Sequence, residues 1–137
     1  AKQYSAIENM GIPVVAIEEV PLFTGFSAPD CLSKPRATVA ACSAAMTKAH
    51  VTRTSRVALA VKQDPRVHLI DINDLLCTDK GCSAAIGNVV TYRDDNHLTP
   101  PFVESITWRI REELDRALPA LNSVTAQGSQ PGATSTP

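Results

Sequence analysis

The chain has 137 residues, 44% of them hydrophobic, 13 basic and 14 acidic, with a formal net charge of −1. That length and apolar content allow one domain with a real core and exclude wholesale disorder. Lys and Arg are scattered, so no basic stripe points to nucleic acid, and no acidic block forms a solvating tail. No apolar run approaches the ~20 residues that span a bilayer, and Ala1-Lys2-Gln3-Tyr4 carries no signal-peptide pattern.

Residues 1–10 predict a weak helix, with Tyr4, Ile7 and Met10 at roughly helical spacing and Gly11 stopping it. Ile12-Pro13-Val14-Val15-Ala16-Ile17 is a continuous, partly β-branched run, the pattern of a strand buried on both faces of a parallel sheet. Residues 22–36 read as a long loop, because Pro21, Pro29 and Pro35 forbid a continuous helix. Within it, Phe23 and Phe26 serve either loop packing or the wall of a binding site.

Ala37 to Lys62 is helix-compatible, with a break near Thr52-Arg53-Thr54-Ser55 where Thr54 or Ser55 can cap a second helix. Asp64-Pro65 ends that segment. Val67 to Ile72 predicts the second strand, with His68 at a sheet end or edge. A helical turn follows, with Asn73 as its cap. Ala85-Ile86 and Val89-Val90 flank Gly87-Asn88, which suits the two-residue turn of a hairpin. The last helix starts at Thr99 as N-cap with Pro100 in the first position. Val103, Ile106, Ile110, Leu114, Ala117 and Leu118 form its apolar face, and Pro119 ends it. Residues 122–137 have no charge and no aromatic side chain and read as a disordered tail behind a folded portion spanning 1–121.

The four cysteines, Cys31, Cys42, Cys77 and Cys82, allow three disulfide connectivities. Local pairing, Cys31 with Cys42 and Cys77 with Cys82, is favoured because each pair brackets a loop of polar and small residues. Each bond would contribute ~2–4 kcal/mol and would imply an oxidising, extracytoplasmic compartment. Zinc is the rival reading, disfavoured because ten and four residues separate the pairs, whereas structural zinc sites use shorter spacings in both halves.

The chemistry-bearing stretch is Thr91-Tyr92-Arg93-Asp94-Asp95-Asn96-His97-Leu98-Thr99. In a turn, Asp94 can fold back onto the His97 imidazole, fix its tautomer and leave the other ring nitrogen outward. That is the acid–base half of a Ser-His-Asp triad. Ordinary turn chemistry also accounts for Asp, Asn and His here. Asp95 and Asn96 are turn formers that could also touch a sugar.

Together these blocks resemble the C-terminal part of an SGNH hydrolase-like domain, as fused to bacterial membrane acyltransferase-3 proteins. The matching residues are Gly11-Ile12-Pro13-Val14-Val15, Pro29-Asp30-Cys31-Leu32, Cys42, Val67-His68-Leu69-Ile70-Asp71, Leu76-Cys77, Cys82 and Tyr92 through Thr99. They cover roughly residues 10–118. The resemblance implies an α/β fold, a flavodoxin-like SGNH three-layer sandwich with a parallel sheet, here lacking its N-terminal part. It assigns the triad acid to Asp94 and the base to His97. The family's nucleophilic serine, in a Gly-Asp-Ser block, and its oxyanion-hole Gly and Asn would lie upstream. Ser27, Ser33 and Ser83 have no such setting, so this piece alone is expected to be inactive. The implied activity is transfer of an acetyl-type acyl group to a cell-surface glycan hydroxyl, with no cofactor and no metal. The implied partners are a membrane acyltransferase domain as donor and a glycan as acceptor, in the periplasm or on the outer face of the membrane. An esterase, or a non-catalytic extracellular module binding glycan or a partner, is the alternative.

Overall fold

A computed structural model describes residues 2–119; the stretch 122–137 and the boundary at 121 lie outside them. Among the described residues the sheet structure consists of two-stranded ladders. The central one is parallel: β1 (Val15–Ile17) pairs with β4 (His68–Ile70), Val15 opposite His68 and Ile17 opposite Ile70. Between them in sequence come β2 (Leu22–Phe23), α2 (Ala28–Leu32), α3 (Val39–Ala49), β3 (His50–Val51) and α4 (Arg56–Lys62). Parallel strands require such a crossover. With α4 against both strands, and α6 (Thr107–Ala117) against β4, the chain is a mixed α/β fold built on a parallel pair.

The first helix, α1 (Lys2–Glu8), forms as expected, and Gly11 leaves it at φ +77°. Its Ile7 and Met10 stay exposed. Polar contacts hold it instead: Ser5 Oγ donates to Asp64 Oδ2 at 2.6 Å, and Arg66 bridges Glu8 at 3.2 Å and Asn9 Oδ1 at 3.1 Å. The Arg66 guanidinium and the Ser5 hydroxyl hold the Asp64 carboxyl well below the usual carboxylate range.

β1 departs from the expected burial on both faces. Ile17 is 59% exposed, and Ile12, ahead of β1, 50%; among the described residues β1 has one strand neighbour, β4, and nothing packed over Ile17 hides it from solvent. The expected loop at 22–36 is also more ordered than its prolines suggested. Leu22 and Phe23 pair antiparallel with Val51 and His50. Pro29 then sits in the first turn of α2, where its missing N–H costs nothing, and Ser27 caps that helix by accepting from Asp30 N. Ser55 is the cap of α4.

After β4, a short 3-10 turn spans Asn73–Leu75. Asn73 does not cap it. The Asp71 carboxylate accepts from Asn73 N at 2.9 Å, and Asn73 Nδ2 donates to Glu19 O at 3.0 Å. Two hairpins follow, β5 (Cys77–Thr78) with β6 (Gly81–Cys82), and β7 (Ala85–Ile86) with β8 (Val89–Val90). Gly87 and Asn88 both have positive φ, 56° and 66°, as a type I′ turn demands.

Both local disulfides are formed, Cys31–Cys42 and Cys77–Cys82, and no cysteine is free to ligate zinc. The first ties α2 to α3; the second closes the β5–β6 hairpin.

The single C-terminal helix of the sequence pattern is two helices, α5 (Pro100–Ser105) and α6. Ser105 Oγ donates to the Phe102 carbonyl and Thr107 Oγ1 to the Glu104 carbonyl. Hydroxyls bonded three residues back compete with the helical ladder and bend it. Ile106 sits at the break with φ −106° and ψ 8° and stays buried, as does Phe102, while Val103 and Leu114 of the expected apolar face are over a third exposed. The core gathers Phe23, Met46, Ile70, Tyr92 and Phe102, with Phe23 edge-on to Tyr92 at 4.9 Å between ring centres. Full burial of each such ring contributes ~1.5–3 kcal/mol.

Candidate active site

The turn at 93–97 is framed before it is functionalised. Tyr92 bridges Leu98 antiparallel, Arg93 N donates to His97 O at 2.9 Å, and Thr99 N donates to Thr91 O at 2.9 Å. Phe23 N donates to Asp95 O at 2.9 Å, fastening the turn to β2. Beneath it the Tyr92 ring is buried, which pushes its phenol well above the ordinary range, and its hydroxyl has no hydrogen-bond partner among the described residues. Thr99 closes the frame by accepting from Phe102 N as N-cap and donating from Oγ1 to Val90 O.

On that frame Asp94 folds back as the sequence pattern suggests. Its Oδ1 accepts from Asn96 N at 3.0 Å and His97 N at 2.7 Å. The same carboxylate meets His97 Nδ1, at 3.0 Å from Oδ1 and 2.8 Å from Oδ2. Hydrogen bonds from the Asn96 amide first, then from the His97 amide and ring, hold the Asp94 carboxyl down to about 2. An ionised carboxylate only accepts, so the bonded Nδ1 carries the proton, and in the neutral ring Nε2 then holds the lone pair. Arg93 adds a guanidinium 3.5 Å from Asp94 Oδ2. The pair is open to solvent, with the His97 side chain 59% exposed and that of Asp94 42%.

A groove opens beside Asp94, and His97 stands outside its lining. Arg93, Asp94 and Asp95 form one wall, and Phe26, Ser27 and Lys34 belong to the other, which Cys31–Cys42 pins to α3. Phe26 is therefore a wall residue, whereas Phe23 is core. A second groove, of about 800 Å³, lies across the turn. Asn96 lines it, together with Glu18 and Glu19 just past β1 and Asp71 and Asn73 just past β4. Ligands of α/β sheets bind beyond the carboxyl ends of the strands. That rule, applied to the residues that follow each predicted strand, is the signal that finds these wall residues; of them only Asn73 is singled out in the sequence, as a cap.

Among the described residues no serine hydroxyl is bonded to His97. Ser27 and Ser55 cap helices, Ser33 and Ser105 donate to carbonyls, and Ser43 accepts from Ala84 N. His68 is remote in role as well as sequence: its Nε2 faces Glu113 of α6 at 3.6 Å. Also among the described residues, no cluster of His, Cys, Asp and Glu could hold a metal, and no helix is long and apolar enough to cross a membrane.

An α/β chain with two local disulfides and a His–Asp turn placed behind the last hairpin has the features of an SGNH-type domain. A family model for the SGNH domain (fused to AT3 domains) matches residues 1–112, so the chain belongs to that family. No curated protein and no solved structure matches it significantly.

Proposed function

We propose that this chain is the base-bearing portion of an extracytoplasmic SGNH domain that transfers an acyl group to a cell-surface glycan hydroxyl. The observation that carries the reading is the Asp94–His97 Nδ1 hydrogen bond at 2.8 Å, which leaves Nε2 as the available base. Fusion to AT3 domains within the family supports a membrane acyltransferase as donor. The two disulfides support an oxidising compartment outside the cytoplasm.

The serine nucleophile and the oxyanion donors belong to a segment of the same domain upstream of Ala1. The serine Oγ attacks the acyl carbonyl while His97 Nε2 takes its proton, and Asp94 stabilises the imidazolium. Collapse of the tetrahedral intermediate expels the donor alcohol, which leaves with the proton from Nε2. A sugar hydroxyl then gives its proton to Nε2 as it attacks the acyl-serine, and the serine leaves reprotonated. Water in place of the sugar makes the same site an esterase.

The test is His97→Ala in the full-length parent protein. Glycan acylation is expected to fall by about 10³-fold or more, with the melting temperature little changed because the ring is mostly exposed. Unchanged acylation would remove His97 from the mechanism. A second reading, a non-catalytic glycan- or partner-binding module, holds if the native protein brings no serine to His97. A Gly-Asp-Ser block encoded upstream of Ala1 decides for the enzyme, and its absence for the module.

A further inference from the structure

The groove across the turn from Phe26 holds more hydrogen-bond acceptors than the chain satisfies. Glu18 is only 8% exposed. Its Oε1 accepts from Glu19 N at 3.0 Å, while Oε2 has no donor and no cation pairs with the carboxylate among the described residues. Asn73 Oδ1 is buried and equally unpartnered, although Nδ2 of the same amide is held by Glu19 O. Both residues line this groove. An acceptor withdrawn from water without a donor costs about 1–3 kcal/mol, more when charged. Asn73 Oδ1, on the loop after β4, bears that cost, whereas Glu18 Oε2, on the loop after β1, has no donor but still meets solvent; together they suit a ligand that brings O–H or N–H groups into the groove.

Charge narrows the ligand class. The groove carries four carboxylates, Glu18, Glu19, Asp71 and Asp74, against one guanidinium, Arg53, and Asp74 is already paired with Arg109 at 3.2 Å. A trough of this sign, partly shielded from solvent, repels anions. Its volume of about 800 Å³ falls within the ~300–1,000 Å³ of small-molecule sites. Its position joins it to the chemistry, because Asn96, one residue before His97, stands in its wall.

We infer that this groove is the acceptor subsite, selecting neutral or amino sugars over acidic ones, with Glu18 as the principal hydroxyl acceptor and Asn73 Oδ1 as the second. The inference rests on the acyl-transfer reading above and adds to it a substrate class and the residues that choose it.

The test uses the full-length parent protein with p-nitrophenyl acetate as donor and three matched acceptors: methyl glucoside, methyl glucosaminide and methyl glucuronide. Nitrophenol release without sugar reports the dyad; O-acetylated glycoside reports the subsite. The first two acceptors are expected to exceed the glucuronide by about tenfold or more in kcat/KM. Glu18→Gln keeps an oxygen for Glu19 N and is expected to raise KM for the glucoside about tenfold, the loss of a hydrogen bond to a charged group, with sugar-free nitrophenol release unchanged. Equal use of the glucuronide, or an unchanged KM in E18Q, overturns the inference. So does a fall in sugar-free release matched by a lower melting temperature, which would mean that Glu18 is covered by another part of the domain. Sugar-free release surviving in His97→Ala would instead defeat the acyl-transfer reading and is a separate outcome.

Discussion

Asp94 does two jobs with one carboxylate, and they separate by substitution. Its Oδ1 holds the backbone of the turn through Asn96 N and His97 N, and both oxygens orient the ring. Asparagine keeps an oxygen for the amides but replaces the charge facing Nδ1. Asp94→Asn in the parent protein is therefore expected to fold normally and lose acyl transfer by about 10³–10⁴-fold, as loss of a triad carboxylate does. A loss under tenfold would make Asp94 a turn former only. The pH behaviour follows from the depressed pKa, with the ordinary value of 3.8 for the unfolded chain and about 2 in the fold. The stabilisation it contributes is complete above the unfolded value and disappears as pH falls through the folded one. Amide-exchange protection at Asn96 and His97 is expected to persist at pH 5 and to fade between about pH 4 and pH 2. Protection that is unchanged at pH 2, or already lost at pH 5, would mean that the Asp94 carboxylate does not hold the turn.

The elements around this turn show which local signals a sequence carries. Thr99 and Pro100 announced α5 because capping is local chemistry, and Gly87-Asn88 announced its hairpin for the same reason. The Asp94–His97 contact was equally legible, three residues apart and closed by the carboxylate itself. The break at Ile106 was not, because the apolar period runs through it unbroken while Ser105 and Thr107 redirect the carbonyls. Nor were β2 and β3, since two-residue strands have no period to read and pair only through tertiary contact. Gly81 shows how tightly such short elements are set. Its φ is +120°, and a Cβ there would lie 2.5 Å from Thr47 Oγ1, the hydroxyl that accepts from Cys82 N. Gly81→Ala therefore meets both backbone strain and a clash, and is expected to cost about 1–3 kcal/mol in urea unfolding. A neutral result would show that Thr47 can move without loss.

Taken as a whole, the chain leaves one position of its parallel pair open: Ile17 on β1, whose register partner Ile70 on β4 is 1% exposed. Cores of α/β folds are covered on both faces of the sheet, and the apolar run 12–17 has the composition for that. Yet Ala16 is buried while its neighbour Ile17 is 59% exposed. The dyad is likewise more exposed than a triad carboxylate and histidine ordinarily are. One proposal covers both facts: the upstream segment that supplies the serine also packs on β1 and screens His97. The grooves could not be read from sequence for the same physical reason, because their walls come from loops far apart in the chain and meet only when β1 and β4 pair. Single-cysteine reporters decide the matter, since both native cysteine pairs are disulfide-bonded and unreactive. Ile17→Cys in the full-length parent is expected to resist maleimide at least tenfold better than Leu59→Cys, a position 46% exposed on α4. The opposite edge of the reasoning is also fixed: if Ile17→Cys labels as fast as Leu59→Cys in the complete protein, no segment covers β1. The serine would then have to reach an open His97 from elsewhere, and the shared-screen proposal fails.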